Sequence, residues 1–107
     1  MEHVSGFDWD EGNKGHCRKH GATLTEIEHA LQTGPLIMSD HTGNVETRFN
    51  AVGRNSEGRH LFIVFMIRDL NGNRLIRPIS ARYMHAKEVQ AYGQTKGSQA
   101  LPGVSDG

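Results

Sequence analysis

The densest chemistry in this chain lies in Arg77-Pro78-Ile79-Ser80-Ala81-Arg82-Tyr83-Met84-His85-Ala86-Lys87-Glu88. The stretch ends an apolar strand with arginines and runs into a segment carrying His, Lys, Glu and Tyr. A helix N-terminus presents unpaired N–H groups and the positive end of its dipole, and an arginine beside it adds a fork of donors. With Ser80 as the cap, the spacing predicts a helix from about Ala81 that ends at Gly93. Arg82 would then stand in its first turn. Such a junction suits a phosphate, and guanidinium suits it better than ammonium because it stays charged and grips two oxygens at once. The competing reading is a plain surface arginine at a strand end.

A second set of candidate groups is His16, Cys17 and His20. Spaced i, i+1 and i+4 on one helix, they could offer two or three metal ligands, but no fourth is evident, and a solvent-exposed basic helix is the alternative. No cofactor and no metal site are expected. His20, just before Gly21, also has a simpler use against the negative end of its own helix.

The balance of 12 basic and 12 acidic residues conceals segregation. Residues 47–92 carry eight bases against three acids, and seven of the eight are arginine. That bias favours phosphate or carboxylate contacts over simple solubility, although a solvated charged face gives the same count. Cys17 is the one cysteine, which excludes an intrachain disulfide and a four-cysteine zinc site and fits a reducing, cytoplasmic setting. The N-terminus lacks a basic-then-apolar leader, and the longest apolar run, Leu61 to Ile67, is too short to span a bilayer. No membrane partner is expected.

These side chains need elements to hold them. Asp8 or Asp10 can cap a helix over about Glu11–His20, closed by Gly21. Thr23-Leu24-Thr25-Glu26 matches a capping box, with Leu24, Ile27, Ala30 and Leu31 on one apolar face and Gly34-Pro35 as the stop. Leu36–Met38 reads as a short extended segment, followed by a polar loop over Ser39–Asn44. Strands are expected over Thr47–Arg54, Arg59–Asp69 and Arg74–Ser80, the last two joined by an Asn71-Gly72 turn. The middle strand is apolar on both faces, the pattern of a central strand covered on two sides. Pro78 removes a ladder donor, which implies an edge or a bulge. The expected class is α+β, with N-terminal helices on a small antiparallel meander and a C-terminal helix. Residues 1–92 form one domain, and the Gly-, Ser- and Gln-rich residues 93–107 are expected to be a flexible tail.

The motifs and their order resemble the BrnT family of toxins from bacterial type II toxin–antitoxin pairs. Phe7-Asp8-Trp9-Asp10 with Asn13-Lys14 comes first, then Lys19-His20-Gly21. Glu46-Thr47-Arg48 leads to Gly53-Arg54, and Leu61-Phe62-Ile63-Val64-Phe65 ends at Arg68. Arg77-Pro78-Ile79-Ser80-Ala81-Arg82 precedes the pair Glu88 and Tyr92. The resemblance covers about residues 7–92. It implies a RelE-like fold and a ribonuclease that arrests growth by cutting RNA. It also implies a cognate BrnA-like antitoxin of the ribbon-helix-helix type, which neutralises the toxin and binds operator DNA, so that DNA is reached only through the antitoxin. Cys17, where relatives often carry Asn, and Met66, where Thr is common, depart from the pattern.

RNA cleavage of that kind, without a metal, needs a base for the ribose 2′-OH, charge stabilisation at the phosphorane and an acid for the leaving oxygen. Arg68, Arg77 and Arg82 are the expected charge stabilisers, with His41 and Glu46 first for proton transfer and His85, Lys14 and His20 behind them. Arg48 and Arg54 would contact flanking phosphates, and Lys14, Tyr83 and His85 complete the expected RNA-binding set. Each has a plainer use: His41 as a solvated loop histidine, Glu46 as a partner of Arg48 or Arg82, Tyr83 and Tyr92 as core aromatics. Two other functions stay open on sequence. One is a catalytically degenerate RelE-like module that only binds the antitoxin and joins in autorepression, and the other is a small metal enzyme built on His16 and His20.

Overall fold

The computed structural model describes residues 4–40 and 48–99. Its elements run β1 (Gly6–Phe7), α1 (Glu11–Arg18), α2 (Leu24–Gln32), β2 (Leu36–Asp40), β3 (Arg48–Arg54), β4 (His60–Leu70), β5 (Asn73–Tyr83) and α3 (Ala86–Gln99). The class is α+β, as expected, and the order in the sheet is β1-β5-β4-β3-β2. Strands β2 to β5 form the antiparallel meander. The short segment at Phe7 adds a strand parallel to β5, pairing Gly6 with Leu75 and Phe7 with Ile76, so the sheet is mixed rather than wholly antiparallel.

Local signals set most element ends. Asp10 caps α1: its carboxylate accepts the Asn13 N–H at 3.0 Å while Asn13 Oδ1 accepts the Asp10 N–H at 2.7 Å. Thr23 and Glu26 do the same for α2 at 3.1 and 2.9 Å. Each box satisfies two donors that a helix start leaves unpaired. The β4–β5 turn has φ of 51° at Asn71 and 83° at Gly72, the two positive values of a type I′ hairpin turn.

Helix α1 packs on β5 and α2 on β3, so both lie on one face of the sheet. Ile27, Ala30 and Leu31 of α2 meet Ala51, Leu61, Ile63, Phe65, Ile76 and Ala81 in the core. The approach of α2 to β3 is close: a Cβ on Gly53 would lie 2.6 Å from the Ala30 carbonyl oxygen. Strand β4 is central, but only one of its faces is fully covered. Leu61, Ile63 and Phe65 are buried, whereas Phe62, Val64 and Met66 on the other face are half-buried, because neither N-terminal helix reaches that side.

The largest departure from expectation concerns β5. It does not stop at Ser80 but continues to Tyr83, pairing Ser80 with Val64, Ala81 with Ile63, Arg82 with Phe62 and Tyr83 with Leu61. Ser80 therefore caps nothing; α3 starts at Ala86 and runs past Gly93 to Gln99. The long β4 offers ladder partners as far as Leu61, and burying Ala81 against the core favours the strand over a local cap. Of the edge or bulge that its missing donor implied, Pro78 takes the bulge: Phe65 pairs with Pro78 and Val64 with Ser80, leaving Ile79 out of the ladder. Among the described residues no helix is long and apolar enough to cross a membrane.

Candidate functional site

Strand alternation decides where the arginines go. Arg54 stands opposite His60, Arg82 opposite Phe62 and Arg77 opposite Met66, and Arg68 follows Met66 by two residues. All four, and Arg48 by its position in β3, thus share the face opposite α1 and α2. The half-buried Phe62, Val64 and Met66 form the apolar centre between them.

Two arginines converge. Arg68 and Arg77 are diagonal neighbours on β4 and β5, and both reach Asp8: Arg68 Nη1 donates to Oδ2 at 3.0 Å and Arg77 Nη1 donates to the same oxygen at 3.3 Å. Arg77 Nη2 also pairs with Asp10 Oδ2 at 3.0 Å. Asp8 is fixed from the backbone outward. Its N–H donates to the Ile76 carbonyl at 2.8 Å, and its own carbonyl accepts from Asn13 Nδ2 at 2.9 Å. The same Nδ2 donates to the Pro78 carbonyl at 2.9 Å, which ties the start of α1 to the bulge of β5. The hydrogen bond from the Asn13 N–H holds the Asp10 carboxyl below its ordinary range, with the Arg77 guanidinium helping against partial burial. Two guanidinium and two carboxylate groups sum to no net charge, so this cluster offers aimed donors more than bare potential.

Arg82 belongs to a second cluster. Five residues along β5 from Arg77, or about 16 Å of strand, it forks onto Glu88 of α3 at 2.9 and 2.8 Å. Glu88 Oε1 accepts the His85 N–H at 2.9 Å as well. Arg82 first and the His85 N–H next push the Glu88 carboxyl down to about 2, and the bond to Glu88 in turn raises Arg82. The Arg82 guanidinium also sits 5.0 Å over the Phe62 ring. The structure therefore joins Arg68 to Arg77 and sets Arg82 apart, at a strand end rather than in the first turn of a helix.

The remaining candidates divide. Arg54 is exposed on the arginine face, and Arg48 Nε is buried with no hydrogen-bond partner among the described residues. Lys14 lies on α1 beside the buried Asn13, and His85 is exposed just before α3. Tyr83 faces the helices instead: its hydroxyl donates to Glu26 Oε1 at 2.7 Å and its ring carries the Arg59 guanidinium at 3.7 Å. That ring is a strut between β5 and α2 rather than a stacking platform beside the arginines. Cys17 is fully buried while His16 and His20 are exposed, so these three do not converge. No group of three His, Cys, Asp or Glu able to hold a metal ion occurs among the described residues. His41 and Glu46 lie outside the described residues.

Three groups escaped the residue-by-residue reading. Outside the first motif of the resemblance, Asp8 and Asp10 read from the sequence only as caps, although two acids flanking Trp9 in a chain rich in distant arginines are a usable hint. His60 was overlooked. It stands on the arginine face, opposite Arg54, and burial first and the Arg54 charge next hold its pKa below the ordinary histidine value.

Oriented guanidinium groups on one face of a sheet, a histidine among them and an apolar centre make a surface that can bind and polarise phosphodiesters. A family model described as the ribonuclease toxin BrnT of type II toxin–antitoxin systems matches residues 9–88, and a toxin of such a pair has an antitoxin as its partner. No curated protein matches the chain significantly. From the arginine face and the match over most of its length, the chain belongs to the BrnT family of ribonuclease toxins of type II toxin–antitoxin systems.

Proposed function

We propose that this chain is a metal-independent endoribonuclease with a RelE-like architecture that arrests growth in the cytoplasm. A ribose 2′-OH attacks the adjacent phosphorus, the bond to the 5′ oxygen breaks, and the products are a 2′,3′-cyclic phosphate and a 5′-OH end. Arg68 and Arg77 stabilise the charge that builds on the phosphoryl oxygens. Arg82, Arg54 and Arg48 take neighbouring phosphates, with Lys14 and His85 at the periphery. His41 and Glu46 remain the proposed proton-transfer groups. A cognate BrnA-like ribbon-helix-helix antitoxin neutralises the toxin and alone contacts operator DNA.

The observation that carries this reading is the convergence of Arg68 and Arg77 on one carboxylate oxygen, on the face that also holds Arg54 and Arg82. The test is cleavage of RNA by the purified protein with and without EDTA, beside the Arg68→Ala/Arg77→Ala variant. Cyclic-phosphate ends, indifference to EDTA and a loss of at least about 10²-fold in the variant are expected. Intact RNA with folded wild type, or an unimpaired double variant, refutes the assignment. Loss of cleavage in EDTA refutes metal independence.

A further inference from the structure

Two guanidinium groups on diagonal neighbours repel each other, and each rides on a long side chain with several rotatable bonds. Left alone they would spread, and charge stabilisation would suffer, because displacements near 1 Å are enough to cost about 10²-fold in rate. Asp8 answers both problems. We propose that Asp8 is the positioning residue of the arginine pair, setting the spacing and aim of Arg68 and Arg77 through one carboxylate oxygen. The inference rests on the proposed role of those arginines.

Three features support it. The carboxylate is anchored, since the Asp8 N–H is held by Ile76 and its carbonyl by Asn13 at 2.8 and 2.9 Å. It is largely sheltered, with 16% of the side chain exposed, so water competes weakly for its oxygens. It is also economical in the donors it uses. Arg68 spends one nitrogen on Asp8 and has no other partner among the described residues, with 42% of its side chain exposed, which leaves Nε and Nη2 available to a phosphate. Arg77, 21% exposed, is held at two nitrogens by Asp8 and Asp10 and is the stiffer of the two. Asp8 touches no reacting atom in this scheme and acts only through the arginines.

Neutralisation without positioning predicts the opposite sign. If Asp8 merely cancels charge, removing its charge would strengthen RNA binding and leave cleavage intact or faster. The experiment compares wild type, Asp8→Asn, Asp8→Glu, Arg68→Ala/Arg77→Ala and the triple variant with Asp8→Asn, reading kcat, KM and the thermal midpoint on a short RNA. Guanidinium Nη signals of Arg68 are followed by NMR in parallel. The expected result is a loss in kcat of about 10²-fold for Asp8→Asn, with KM changed far less. Partial recovery in Asp8→Glu, no further loss on adding Asp8→Asn to the arginine variant, and merging of the Arg68 Nη signals as the group rotates freely should accompany it.

A folded Asp8→Asn with undiminished kcat overturns the inference while leaving the arginine assignment intact, provided Arg68→Ala/Arg77→Ala has lost cleavage. Should Asp8→Asn fail to fold, an Asp8→Glu protein with wild-type kcat and unrestricted Arg68 rotation overturns it equally. An arginine variant that still cleaves, or a wild type that leaves RNA whole, removes the underlying assignment and this inference with it.

Discussion

Replacing Asn13 with alanine should be among the most damaging single changes away from the apolar core. Asn13 is 6% exposed and sits in the first turn of α1. Its Nδ2 donates to the Asp8 and Pro78 carbonyls, both at 2.9 Å, and its Oδ1 accepts the Asp10 N–H at 2.7 Å. Alanine removes all three hydrogen bonds. Each is worth about 1 kcal/mol net, and a carbonyl left dry adds a desolvation penalty of its own. The bond to Pro78 is the buried one, so that carbonyl recovers water least, whereas the Asp10 N–H lies nearer to solvent. The sum comes to about 2–4 kcal/mol. For a domain of this size that lowers the thermal midpoint by roughly 10–20 °C.

Urea unfolding of wild type and Asn13→Ala measures the loss directly, with an unchanged slope as the sign that both states keep their compactness. Asn13→Asp is the informative companion. It keeps an acceptor for the Asp10 N–H but turns a carboxylate toward two carbonyl oxygens, and should be at least as destabilised. Because Asn13 also holds the Asp8 carbonyl, RNA cleavage by Asn13→Ala should fall further than the folded fraction does. A stability loss under about 0.5 kcal/mol, within the range of ordinary surface changes, would refute the view that this side chain fastens α1 to β5.

Three further outcomes are expected. Gly53→Ala should destabilise by about 1–3 kcal/mol in the same urea assay, since its Cβ would stand 2.6 Å from the Ala30 oxygen and 3.0 Å from the Ala30 Cβ; a neutral result would mean that α2 lifts freely from β3. The Cys17 thiol, pushed up to about 11 chiefly by burial, should resist a thiol-reactive dye at pH near 8 in native protein and react fully after unfolding, and rapid native labelling would contradict its burial. The Glu88 carboxyl, held down to about 2 by Arg82 and the His85 N–H, should titrate there in carboxyl NMR rather than near the usual value of about 4.3. Its folded pKa is depressed, so the stabilisation is complete above the unfolded value and disappears as pH falls through about 2. A midpoint near 4 would show that the ion pair with Arg82 is not formed in solution.

What could be read from residues alone was local. An acid before Glu11, Thr23 with Glu26, and Asn71-Gly72 announce helix starts and a hairpin because the hydrogen bonds and dihedral demands involved close within a few residues, although the choice of Asp10 over Asp8 came from the structure. The donor that Pro78 lacks pointed to an edge or a bulge, and the register between β4 and β5 made it a bulge. The motif series also carried the family resemblance. The site was less accessible, since an arginine's partner is not written beside it.

Ser80-Ala81-Arg82 shows why. Locally the segment looks like a cap and a first turn, yet β4 supplies ladder partners for it and the core takes Ala81, so it stays extended and Arg82 meets Glu88 across the strand-to-helix turn. Tyr83 went to the helix side for the same reason of strand alternation. Residue order thus carried the Thr23 capping box, the Asn71-Gly72 turn and the arginine bias of the second half. Only the folded sheet brought Asp8 to Arg68 and Arg77, 60 and 69 residues away, because register between distant strands decides which charges share a face.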